Sequence, residues 1–174
     1  SNWRHKLVVM KIDLEEMEHY PSNAIEGFAG RLEKLIPSLY EHRCSRGYEG
    51  GFLERLREGT WMGHIIEHLA LELQVLAGMQ CGFGRNRGDG KEGVYKVVFS
   101  YEQERAGFYA GRAAFSIVEA ILSNQPYDID KDIQELRQIR EEERFGPSTA
   151  SIIDEAEKRN IPILRLNEYS LVQL

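Results

Sequence analysis

The chain has 174 residues, 42% hydrophobic and 29% charged, which suits one globular domain or one domain plus a fragment of a second. Its formal net charge is −6, so the basic surplus of a nucleic-acid-binding surface is missing and a cationic ligand fits the balance better. Only two cysteines are present, Cys44 and Cys81, with no C-x-x-C pair, which argues against a disulfide scaffold or a thiolate zinc cluster. No run approaches the ~18 apolar residues of a membrane span, and Ser1–Lys6 has no signal-peptide pattern, so a cytoplasmic location without a membrane partner is expected.

Residues 6–14 (KLVVMKIDL) are β-branched and apolar and read as a strand. Asn23 and Glu26 stand at capping-box spacing before a helix that carries Phe28, Leu32, Leu35 and Ile36 on one side, and Pro37 ends or restarts it. Gly47, Gly50 and Gly51 mark a loop, followed by one or two helical turns over residues 52–57, closed by Gly59. Thr60 is placed to cap a central helix over 61–77, with Gly78 just past its end. Residues 79–93 are glycine-rich and basic and read as a long mobile loop.

A second strand is expected over 94–101, then a long helix over 102–123 whose Gly107 and Gly111 permit close packing. A charged amphipathic helix follows over 130–144, with Ile133, Leu136 and Ile139 as its apolar stripe. Gly146-Pro147-Ser148-Thr149 marks a boundary, so residues 1–145 read as one domain and 146–174 as the opening of another, with a helix to Arg159 and a strand over 161–166. The fold class is α+β, a small sheet packed by several helices.

The central helix contains His64-Ile65-Ile66-Glu67-His68, an H-x-x-E-H inverted-zincin pattern. Residues four apart lie one turn apart on one helix face, so His64 and His68 can share a zinc ion. Glu67 lies at the edge of that face, where it can take a proton from water during amide hydrolysis. A third ligand must come from another element. Glu72 is eight residues beyond His64, about 12 Å along the helix, too far to bind the same ion, and is read as a partner orienting His68. Glu104 is the choice for third ligand, with Glu102, His42 and Glu54 as alternatives. The competing explanation is a structural histidine pair.

Gly82-Phe83-Gly84-Arg85-Asn86-Arg87-Gly88 follows a helix rather than a strand, so it lacks the context of a nucleotide-binding loop and reads as a flexible loop at the site mouth. Arg112 on the long helix is either an ion-pair partner or a substrate contact.

Several stretches together resemble the N-terminal region of the cyanophycin synthetase family. They are residues 4–10 (RHKLVVM), 50–55 (GGFLER), 59–68 (GTWMGHIIEH) and 109–114 (YAGRAA). Residues 146–149 and 156–162 resemble the opening of that family's ATP-grasp module. The resemblance implies an ATP-dependent ligase that builds a poly-aspartate backbone with arginine on each side-chain carboxylate. It implies ATP and Mg2+ as cofactors of ATP-grasp and Mur-ligase-like modules that this sequence does not contain, and a homo-oligomer, usually a tetramer. It also implies that this domain holds cyanophycin and, where H-x-x-E-H is kept, cleaves it into primers at a Zn2+ site carried by His64, Glu67 and His68. The other function class is a non-catalytic domain for polymer binding and oligomer assembly.

Overall fold

The computed structural model describes residues 6–167 and 170–174, so Arg4 and His5 of the first resembling stretch lie outside the described residues. Two strands predicted from β-branched runs form as expected: β1, Leu7–Asp13, and β3, Val94–Ser100. Between them in sequence is a third, β2, Gly84–Gly88, in the segment expected to be a loop. The correction has a simple cause. Gly, Arg and Asn have low strand propensity, but the backbone of β2 finds its partners on β3, and tertiary pairing overrides propensity. The sheet is antiparallel in the order β1-β3-β2, with Val9 opposite Val98 and Arg85 opposite Val98 on its other side.

The helices are α1, Phe28–Leu35; α2, Gly51–Glu58; α3, Met62–Leu76; α4, Glu104–Leu122; α5, Ile129–Glu143; and α6, Pro147–Lys158. α1 starts later than its capping-box spacing predicts, because Gly27 takes a left-handed φ of 68° just before it. Thr60 does not cap α3: Trp61 is the N-cap residue and makes no side-chain capping bond, so the Thr60 hydroxyl is free for another role. The far end of α3 is as expected, with Gly78 at φ 89°. Short strands β4, Leu164–Arg165, and β5, Val172–Gln173, pair with one another. Among the described residues no helix is long and apolar enough to cross a membrane.

One face of the sheet packs on helices. Val8, Ile12, Val97 and Phe99 are buried with Ile65, Leu69, Leu73, Ala110 and Ala114 in one core. The two glycines of α4 do permit close packing, but against the sheet: a Cβ on Gly107 would sit 2.9 Å from Val8 Cγ2, and one on Gly111 3.0 Å from Phe99 Cζ. α3 is hydrophobic nearly all round, and Met62, Ile65, Ile66, Leu69 and Leu73 are wholly inaccessible. A helix so enclosed carries its buried polar residues at a cost, and these are Glu67, His68, Glu72 and Gln74, with His64 part-buried beside them.

Candidate metal centre

His64 and His68 leave α3 on one face, and their Nε2 atoms lie 3.2 Å apart. Phe52, from the predicted turns of α2, stacks on His68 at 4.2 Å between ring centroids and meets His64 edge-on at 5.8 Å, fixing both rings. The third donor comes from a one-turn helix, Cys44–Arg46, ahead of α2. Cys44 Sγ is 3.2 Å from His64 Nε2, and ligand atoms of Cys44, His64 and His68 all lie within 4.8 Å of one another. Cys44 has φ 53°, a left-handed backbone that is rare for a residue with a side chain and is found preferentially at functional sites.

The chemistry of this donor set fits zinc. Two nitrogens bound at ~2.0–2.1 Å in tetrahedral geometry stand about 3.3 Å apart, and a nitrogen and a thiolate about 3.5 Å apart. Protonation states also fit. Burial alone would raise the Cys44 thiol, but hydrogen bonds from His68 and Ser45 outweigh it and bring it down to about 6, so the thiolate prevails at neutral pH. Burial, with Arg55 adding to it, holds His64 down at about 4, and burial also lowers His68. A thiolate and two neutral imidazoles are the forms that bind a metal.

The hydrogen bonds behind the imidazoles select the tautomers. His64 Nδ1 is 3.0 Å from Thr60 Oγ1, so its proton can be donated there while Nε2 faces the cluster. His68 Nδ1 is 2.9 Å from His42 Nδ1, and His42 Nε2 is 2.5 Å from Glu72 Oε2. Ser38 donates to the other Glu72 oxygen. Burial would push the Glu72 carboxyl up, but the bonds from His42 and Ser38 outweigh it and hold it below the usual range. As an acceptor, Glu72 draws the His42 proton to Nε2, so that a metal held on His68 Nε2 would leave the His68 proton at Nδ1, facing the open His42 Nδ1. Glu72 therefore reaches His68 through His42 rather than directly.

Glu67 lines the same cleft, a space of about 620 Å³ bounded by His42, Cys44, Arg55, His64, His68 and Gly84 among others. Burial, and then the Cys44 thiolate, raise its carboxyl to about 7 against the opposing pull of Arg55. Gly84 of β2 makes room for it: a Cβ there would fall 2.7 Å from Glu67 Cδ. Arg55 spans the cleft wall, donating to Ser45 Oγ at 2.7 Å and to Cys44 Sγ at 3.6 Å.

The carboxylates considered as third ligand lie elsewhere. Glu104 is exposed in the first turn of α4, where its charge acts on Tyr101 and Glu143. Glu102 accepts from the Gln80 backbone, and Glu54 pairs with Arg46 and Tyr48. The two cysteines argued against a thiolate zinc cluster, yet one of them, Cys44, joins His64 and His68 in a group that could hold a metal ion, because the chain ahead of α2 folds back onto α3. Cys44 and Arg55 were not singled out by the sequence; the left-handed Cys44 is invisible until the fold is known.

The raised Glu67 carboxyl carries a stability prediction for the metal-free chain. A carboxyl whose folded value lies above its unfolded one costs nothing below about 4.5, and destabilises progressively as pH rises toward 7. Glu67→Gln should therefore match wild type in urea midpoint at pH 4.5 and exceed it at pH 8, by about 3 kcal/mol at most. Equal midpoints at pH 8 would show that Glu67 is not desolvated.

The fold and cleft define an α+β domain with a two-histidine, one-cysteine donor set beside a buried carboxyl. The chain belongs to the cyanophycin synthase-like N-terminal domain family, which it matches over residues 9–123. It is 51% identical to a cyanophycin synthetase from Geminocystis herdmanii over 174 residues, covering 98% of this chain and 20% of the relative. It is 48% identical to one from Synechocystis sp., with the same coverage of 98% and 20%. A cyanophycin synthetase from Trichormus variabilis is 51% identical over 98% of this chain and 19% of its own length. The chain thus spans about a fifth of these relatives.

Proposed function

We propose that this chain is the N-terminal part of a cyanophycin synthetase and is itself a zinc-dependent hydrolase that cuts the polymer's aspartyl backbone to make primers. The observation that carries the reading is the convergence of Cys44, His64 and His68 within 4.8 Å of one another beside Glu67. These three residues would hold the ion, leaving a position open in the cleft. The metal, when bound, supplies Lewis-acid polarisation of the scissile carbonyl and lowers the pKa of water. Glu67 takes the proton of the attacking water and passes it to the leaving amine. Arg55, a fixed cation on the same wall, is placed to stabilise negative charge developing on the carbonyl oxygen. Phe52 and the Glu72–His42 chain hold the imidazoles still.

The parent enzyme on this reading is an ATP-dependent ligase using ATP and Mg2+ in modules beyond this chain, located in the cytoplasm and assembled as a homo-oligomer, a tetramer by the resemblance. The main domain covers 1–145, and 146–174, with α6, β4 and β5, opens the ATP-grasp module. Similarity to the relatives continues past residue 123, where the family match stops. Cyanophycin is the polymer bound.

The test is release of short Asp-Arg oligomers from purified cyanophycin by the zinc-loaded chain. Cleavage should stop on chelation and return with zinc. A zinc-loaded chain that releases nothing would overturn the hydrolase reading and favour a domain for polymer binding and assembly.

A further inference from the structure

The chain's two cysteines, Cys44 and Cys81, both line the cleft. Their surroundings differ. Cys81 Sγ donates to Gln74 Oε1 at 3.4 Å, and no hydrogen bond joins it to a histidine among the described residues. Cys44 Sγ is 3.2 Å from His64 Nε2, within hydrogen-bond reach for a sulfur. On the far side of that ring, His64 Nδ1 is 3.0 Å from Thr60 Oγ1. That bond holds the ring proton at Nδ1 and leaves Nε2 open toward the sulfur. Arg55 donates to the same sulfur from the cleft wall, at 3.6 Å. A nucleophile on a base, with the base oriented by a third group, is the arrangement of covalent acyl transfer.

A zinc ion held by Cys44, His64 and His68 would take up the sulfur and the ring nitrogen together, leaving neither a nucleophile nor a base. In the metal-free chain both are open to the cleft and face one another. We propose that the metal-free cleft has an activity of its own, hydrolysis of activated acyl groups (esters or thioesters) through a covalent intermediate on Cys44. Cys44 passes its proton to His64 Nε2 while Sγ bonds to the acyl carbon. The carbonyl π pair moves onto the oxygen, beside the Arg55 guanidinium. When that pair returns, the bond from carbon to the leaving oxygen or sulfur breaks, and His64 gives the leaving group its proton. Water then loses a proton to His64 Nε2 and bonds to the acyl carbon. The carbon–sulfur bond breaks, and the proton returns to Sγ. The products are a carboxylic acid and an alcohol or thiol, with no change of oxidation state. The activity does not depend on the zinc-hydrolase reading: the two are alternatives at one site, selected by whether an ion is present.

The test adds p-nitrophenyl acetate to the full chain freed of metal by chelation, with mass spectrometry of the peptides carrying Cys44 and Cys81. Release of p-nitrophenolate should show a burst of about one equivalent and then a slower steady phase. During the burst, one acetyl group should be found on Cys44 and none on Cys81. Cys81 is an internal control that needs no variant, since it shares the cleft but lacks the histidine. Loading with zinc beforehand should remove the label from Cys44. His64→Gln should slow its appearance about a hundredfold.

Equal acetylation of the two cysteines would overturn the proposal. So would an unchanged label in the zinc-loaded chain, an unchanged rate in His64→Gln, or an acetyl group on Cys44 that water never releases. Zinc dependence separates this activity from the hydrolase reading. Cleavage of cyanophycin requires the ion and acetylation of Cys44 requires its absence, so either can fail without the other.

Discussion

Glu67→Gln in the full-length enzyme is expected to abolish cleavage of cyanophycin and, with it, synthesis that starts without an added primer. Synthesis from a supplied primer should be unchanged. A positioned general base contributes roughly 10²–10⁴-fold, so residual release of Asp-Arg oligomers should fall to or below one part in about a hundred. The substitution isolates the proton-transfer role. Gln keeps the volume of Glu67 in a position with little spare room, because Gly84 presses against it from β2. It also leaves Cys44, His64 and His68 in place, so zinc content should be retained at the wild-type level. Burial and the Cys44 thiolate raise this carboxyl to about 7 in the metal-free chain, and a dication bound beside it would draw it back toward the ionised form that a general base needs. Undiminished cleavage by the variant would remove Glu67 from the mechanism. Loss of primed synthesis together with unprimed synthesis would point instead to a structural defect.

The parts of this fold legible in the sequence were those with strong periodicity. β1, β3, α3 and α4 lie within a residue or two of their expected bounds, because apolar alternation or an apolar stripe dictates each. Strand β2 was hidden, since its residues have no strand propensity and gain their order only from β3. Thr60 shows a similar limit: its chemistry suited a cap, but the His64 ring competes for its hydroxyl. At the site, the histidines and Glu67 were legible because they share one helix and obey its period. Residues brought in from elsewhere were not. Cys44 is 20 positions before His64, and its closeness depends on how the chain turns through a left-handed residue and an intervening helix. His42, considered as a ligand, lies behind His68 instead, interposed between it and Glu72.

That contrast between what a helix period reveals and what chain reversal conceals sets the second large effect, on metal content. Cys44→Ala is expected to strip the domain of zinc after dialysis against a mild chelator, whereas Glu104→Gln should retain about one equivalent. Removing an outer hydrogen-bonding partner of a zinc ligand costs roughly 10–100-fold in affinity, so removing a ligand itself should cost more than that. The cause is specific to Cys44. Its thiol is pulled down to about 6 by hydrogen bonds from His68 and Ser45, so the site offers a thiolate at neutral pH without a large proton-release penalty. Glu104 is exposed at the start of α4, where an acidic residue is favoured by the helix dipole alone. Cobalt substitution gives an independent readout, because a thiolate ligand adds a charge-transfer band that two imidazoles and water cannot produce. The band should be present in wild type and in Glu104→Gln, and absent from Cys44→Ala. Full zinc content in Cys44→Ala, or its loss in Glu104→Gln, would reverse the ligand assignment and return the third position to a carboxylate.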